Sequence, residues 1–157
     1  MEGVQYYIYI LQLANGGYYV GCTKNIEKRL AVHFGSGGSI ATKEIKAVCI
    51  DRIYNLVDYK IGREFAHAVA EILIACRYSD VFGTHLVRGA KHGEGWGDSP
   101  SPNSLKIIQQ VRGLASSAEY IRLMRQINLF YFVHPSYWVG KMSKNPSTFN
   151  LLLNSPW

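Results

Sequence analysis

The sequence predicts an α+β domain: a small three-stranded antiparallel sheet flanked by helices, followed by a C-terminal helical extension. Three observations carry that expectation. Two segments rich in Tyr, Ile and Val, 4–13 and 18–22, flank Asn15-Gly16-Gly17, which is a hairpin signal. Apolar stripes at helical spacing, Ile26/Leu30/Phe34 and Phe65/Val69/Ile72/Cys76, lie on either side of a third strand-like run. The resulting order, β-β-α-β-α, suits helices packed on an antiparallel sheet.

The hairpin comes first. Side chains alternate across a strand, so loop length decides which residues share a face. A two-residue Asn15-Gly16 turn puts Tyr9 and Tyr19 on opposite faces. A three-residue Asn15-Gly16-Gly17 loop, pairing Ala14 with Tyr18, gathers Tyr7, Tyr9, Tyr19 and Gly21 on one face. It leaves Ile8, Ile10, Val20 and Cys22 on the other, which is the cleaner core. Thr23 or Asn25 can cap a helix over 26–34, and Gly35-Ser36-Gly37-Gly38-Ser39 ends it. The third strand is expected over 47–56 and the second helix over 61–78. Residues 81–103 hold many Gly and Pro, with Arg88, Lys91 and His92 among them, and read as an irregular loop. Beyond it, Ser104 can cap a helix containing Leu105, Ile108 and Val111. Ser116 and Glu119 have capping-box spacing before another, over 120–129. The tail carries Tyr137, Trp138, Phe149, Leu151, Leu152, Leu153 and Trp157, and is too apolar for a solvated end. It is expected to dock on the domain or on a partner, a second copy of the chain included. The division expected is a domain over 1–92 and an extension over 93–157.

A chain of 157 residues, 48% of them hydrophobic, can bury a real core. The net charge of +6 favours an anionic partner. Cys22, Cys49 and Cys76 are far apart and form no CxxC pair, so buried thiols in a reducing compartment are expected rather than a zinc site or disulfides. With no signal-peptide pattern and no apolar run of about 18 residues, the expectation is an intracellular protein, cytoplasmic or nuclear, without a membrane partner.

Two tyrosines, an arginine and a histidine collect around the hairpin. Arg29 and His33 are four apart and share a helix face. Arginine can clamp a phosphate with parallel hydrogen bonds, and histidine can position or protonate its oxygen. Taken alone, the pair is more often a solvated arginine and a half-buried histidine, and the tyrosines can be core aromatics. Glu71 stands in an apolar helix segment, Ala68-Val69-Ala70-Glu71-Ile72-Leu73. A carboxylate there is costly to bury unless it is paired or binds a metal. One carboxylate with a substrate phosphate and waters is an ordinary Mg²⁺ arrangement. Glu64 is the alternative ligand.

Together these residues resemble the GIY-YIG nuclease superfamily. Tyr7-Ile8-Tyr9 stands for the first tripeptide, with tyrosine in place of the family glycine, and Tyr19-Val20-Gly21 for the second. The spacing from Tyr19 to Arg29 and His33 is that of the family, and Glu71 falls where the family keeps a metal-binding glutamate. Two positions depart: Cys22 stands where many members have a polar residue, and Leu86 precedes Val87-Arg88-Gly89 where an asparagine is expected. The resemblance implies a DNA endonuclease dependent on Mg²⁺ or Mn²⁺. Glu71 would hold the metal, Arg29 would stabilise the transition state, and Tyr19 or Tyr9 would orient or deprotonate the water. His33 would bridge a tyrosine and the phosphate. Lys24, Arg88 and Lys91 are the cations expected on DNA. Rival readings are a non-cleaving nucleic-acid-binding module on the same fold and a catalytic subunit that needs a partner.

Overall fold

A computed structural model describes residues 3–35, 38–93, 95–96, 100–114 and 117–132. Its centre is a mixed five-stranded sheet in the order β6-β2-β1-β3-β7. The expected three antiparallel strands form its middle: β1 (Gln5–Leu13), β2 (Tyr18–Thr23) and β3 (Ala47–Val57). Two short strands make it larger than predicted. β6 (Val87–Gly89) lies inside the expected loop and runs parallel to β2. β7 (Asn128–Phe132) lies in the expected helical extension and pairs antiparallel with β3.

The hairpin turns one residue earlier than its Gly-Gly pair suggests. The Leu13 N–H donates to the Gly17 carbonyl at 2.8 Å, so the loop is Ala14-Asn15-Gly16. The Asn15 carboxamide oxygen holds the Gly17 N–H at 2.8 Å, and Gly16 takes the left-handed φ of +81°. This register places Tyr9 opposite Gly21 and Leu11 opposite Tyr19. The pairing shifts by two residues, which preserves parity, so Tyr7, Tyr9, Tyr19 and Gly21 share a face as expected.

Each face has its own core. On one, Tyr9, Leu11, Leu13, Ile50 and Ile53 pack against Ile26, Leu30 and Phe34 of α1 (Ile26–Phe34). Asn25 caps this helix by accepting from the Lys28 N–H at 3.1 Å. A short α2 (Ile40–Glu44) follows, capped by Ser39. On the other face, Ile8, Ile10, Val20, Leu56 and Val87 pack against α3 (Ala66–Phe82). That helix starts later than predicted. Residues 60–65 instead form a two-stranded hairpin, β4 (Lys60–Ile61) and β5 (Glu64–Phe65), turned at Gly62 with φ +62°. Glu64 therefore lies in β5, exposed, and shares no helix face with Glu71; the alternative-ligand reading is corrected on that ground.

Ser101 rather than Ser104 caps α4 (Pro102–Arg112), and Ser117 caps α5 (Ala118–Gln126). Ser116 lies outside the described residues, as do residues 133–157 and hence the docking expected of the tail. Ile108, Val111 and Leu123 join the α3 core, so α4 and α5 pack on that helix. Cys49 and Cys76 are buried and Cys22 half-buried, all three as free thiols. Among the described residues no helix is long and apolar enough to cross a membrane.

Candidate functional site

The site is built around Tyr9, which is 1% exposed in mid-strand. Its ring lies over Gly21 across the hairpin; any Cβ at Gly21 would overlap the phenol. The second tripeptide must therefore end in glycine for the ring of the first to lie flat. The helical spacing of Arg29 and His33 brings both to this phenol. Arg29 Nε donates to the Tyr9 oxygen at 3.3 Å, and the oxygen lies 2.8 Å from His33 Nε2. A guanidinium can only donate, so the phenol's own proton goes to His33 Nε2. His33 Nδ1 then carries the imidazole proton and donates to Thr42 Oγ1 at 3.0 Å. Thr42 passes its proton to the Ser39 carbonyl at 3.2 Å. The relay Arg29–Tyr9–His33–Thr42 thus satisfies every buried polar atom in it.

Burial, and then the Arg29 charge, push the His33 pKa down to about 4, so the imidazole is neutral near pH 7. Burial raises the Tyr9 phenol far above its ordinary value, and neighbouring Tyr19 adds to it. Tyr19 is half-buried, with its ring centroid 5.1 Å from that of His33 and 6.3 Å from that of Tyr9. Burial raises it too, but hydrogen bonding to Ser39 and the Arg29 charge pull it back.

Glu71 comes from the opposite face. β6 pairs with β2 only from Tyr18 to Val20, which leaves the β2 edge without a β6 partner beyond that point. The Glu71 charge acts on Cys22 at this stretch and on both Tyr9 and Tyr19. Its helix neighbours are apolar, and burial raises its pKa to about 7, with Lys91 as the one cation pulling it down. The side chain makes no hydrogen bond among the described residues, and no cluster of three or more His, Cys, Asp or Glu exists among them to hold a metal ion. A single half-buried carboxylate among apolar neighbours fits a divalent cation whose other ligands are phosphate and water.

Of the residues predicted from sequence, the fold brings Tyr9, Tyr19, Arg29 and His33 into contact, while Glu71 acts on both tyrosines only through its charge, from the other face of the sheet. The three cations expected on DNA separate. Lys24 is exposed, with its ammonium 5.7 Å from the Tyr6 ring. Lys91 is exposed, at a left-handed φ of +71°. Arg88 turns inward and is 5% exposed. Its guanidinium donates to the carbonyls of Gly95, Thr84, Val87 and Trp96 at 2.7–3.3 Å, and lies 4.8 Å from the Trp96 ring. It pins the Gly-rich loop instead of facing solvent. Trp96 in turn donates its indole N–H to the Ala41 carbonyl at 3.1 Å and its backbone N–H to Glu44 at 3.2 Å. Ser39 and Thr42 were missed, because their partners are set by the path of the loop and by no regular spacing.

Residues 5–61 match the family model of the GIY-YIG catalytic domain; the stretch holds Tyr9, Tyr19, Arg29 and His33 and ends before Glu71. No curated protein and no solved structure matches the chain significantly.

Proposed function

We propose, from the match of residues 5–61 to the GIY-YIG catalytic domain, that the chain is a GIY-YIG endonuclease hydrolysing DNA phosphodiesters with a divalent metal. The observation that carries the proposal is the setting of Tyr19 and Arg29, from a strand and a helix, beside a relay that fixes the arginine, with the Glu71 charge in range of both tyrosines.

The chain's own groups then have distinct tasks. Tyr9 is buried, and its hydroxyl is engaged on both sides, so it positions Arg29 and does not meet the substrate. Arg29 uses its remaining N–H groups on the phosphate and stabilises charge that builds on the equatorial oxygens in the transition state. Tyr19 orients the attacking water. Keeping a phenolate at pH 7 costs about 4 kcal/mol even in water, and burial adds to that, so orientation is favoured over deprotonation. Neutral His33 holds the tyrosine hydroxyl as an acceptor and carries no charge to the phosphate. Glu71 is the residue that would hold Mg²⁺ or Mn²⁺, which when bound supplies neutralisation of the phosphate and the leaving oxygen.

The test is nicking of supercoiled plasmid in Mg²⁺ and in Mn²⁺, comparing wild type with Arg29→Ala and Glu71→Gln. Loss of nicking in both variants, and in EDTA, is expected. Equal nicking by all three, or salt-dependent DNA binding with no nicking in either metal, would overturn the reading.

A further inference from the structure

One turn before Glu71, α3 carries a group that the reaction does not use. The Asp58 carboxylate accepts the His67 backbone N–H at 3.0 Å with one oxygen and His67 Nδ1 at 2.9 Å with the other. His67 therefore cannot rotate. Its ring stacks on Tyr6 with centroids 3.8 Å apart and planes 3° apart. Phe65 stacks on His67 at 5.9 Å and 27°. Lysines lie along this row: Lys24 Nζ is 5.7 Å from the Tyr6 centroid and Lys60 Nζ is 4.3 Å from that of Phe65. Phe65 is 46% exposed. Three stacked rings with a lysine at each end, the outer one partly exposed, is the makeup of a surface that stacks a nucleobase and neutralises its phosphates.

The row sits beside the centre. Residues four apart on a helix have their Cβ atoms about 5–6 Å apart, so His67 stands one turn from Glu71. Cys22 stands opposite Ile8, two residues from Tyr6 on the same face, and feels the charges of both Glu71 and Asp58. A strand with its scissile phosphate at Arg29 and Glu71 can pass over Cys22 and bring a neighbouring base to Phe65. In a paired duplex the base faces are hidden by stacking, and only an unpaired base can offer one to a ring. A cation–π contact at an exposed site is worth about 0.5–1 kcal/mol, so a base can displace Lys60 from the ring and leave its ammonium for a phosphate.

We propose that the Tyr6–His67–Phe65 row, flanked by Lys24 and Lys60, is a stacking platform for an unpaired nucleobase next to the cleaved phosphate. The substrate class is then DNA with a single-stranded overhang, flap or branch. Placing that base beside the scissile bond rests on the endonuclease reading; the binding itself does not.

The test is fluorescence anisotropy on the full chain in EDTA, so that no cleavage occurs. The probes are a labelled blunt duplex and the same duplex with a short single-stranded flap. Wild type is expected to prefer the flap. Phe65→Ala should weaken flap binding about tenfold, as expected for one lost base stack, and leave the blunt duplex within about twofold. Phe65→Trp should restore the preference, which a merely structural role would not produce. Equal affinity of wild type for the two probes, or equal loss on both in Phe65→Ala, would overturn the platform. A flap preference that survives in Glu71→Gln supports the platform whether or not the wild type nicks DNA, so the two readings fail separately.

Discussion

On the α1 face of the sheet, the buried polar atoms hand protons along an unbroken line from Arg29 through Tyr9 and His33 to Thr42. On the α3 face, the core is apolar from Val69 to Cys76, and its one acidic group, Glu71, lacks a hydrogen bond among the described residues. The first region is complete by itself and holds its side chains in one arrangement. The second has an unmet electrostatic demand. A half-buried carboxylate among apolar neighbours can take an external partner, whereas a fully satisfied buried polar group is scaffold. Among the loop cations, Arg88 is buried and fully engaged on carbonyls, whereas Lys91 is exposed.

The largest expected effect comes from the unsatisfied side. Glu71→Gln should lower plasmid nicking about 10³-fold or more, the scale of losing several kcal/mol of metal assistance. It should not destabilise the metal-free fold. The Glu71 pKa rises from 4.5 to about 7 on folding, so this group weakens the fold as pH rises through that window. His33 acts the other way: its pKa falls from 6.5 to about 4, so it weakens the fold as pH drops through that window. The two slopes oppose each other in the wild type. In EDTA, Glu71→Gln should therefore show thermal stability that rises with pH between about 4 and 6.5 more steeply than in the wild type. Parallel melting profiles would contradict the raised pKa of Glu71.

The tyrosines give the next effect. Tyr19→Phe should reduce single-turnover cleavage about 10²-fold with a normal melting curve, by loss of the group that orients the water. Tyr9→Phe should instead lower unfolding free energy by about 1–3 kcal/mol in urea titration, because it leaves buried His33 Nε2 without its donor. Equivalent behaviour of the two variants would erase the distinction between scaffold and site.

Thr42→Val should cost about 1–3 kcal/mol by orphaning His33 Nδ1, with cleavage reduced less than in Tyr19→Phe. The smallest effect separates the cations. Lys91→Ala should lower the slope of log affinity for DNA against log salt by about one unit, and Arg88→Ala should leave that slope unchanged while lowering stability.

The alternation of the hairpin and the four-residue spacing of Arg29 and His33 made the tyrosine face legible in the sequence. Loop register was not, because Gly16-Gly17 offers two turns, and the Leu13 N–H on the Gly17 carbonyl decides between them. The start of α3 was misplaced because Ile61 and Phe65 fit the helical stripe of Val69. The backbone at Gly62 turns the segment into a hairpin first, and that took Glu64 off the helix. Arg88 counted as a free cation because a sequence shows side chains and not the carbonyls waiting for them. β6 is too short for strand periodicity to register, and it exists because Gly89, at φ +78°, lets the chain lie against the Val20 carbonyl.

Trp96 has a consequence of a different kind. Its indole grips the Ala41 carbonyl, one residue from Thr42, and Arg88 lies over its ring. The Gly-rich segment is thus a keel beneath α2: it steadies the threonine that steadies the histidine. A change in this loop, far along the chain from either tripeptide, would be felt as a tilt of His33 and Tyr9. As an indole that stands behind the relay, Trp96 is also a native fluorophore positioned to report that tilt.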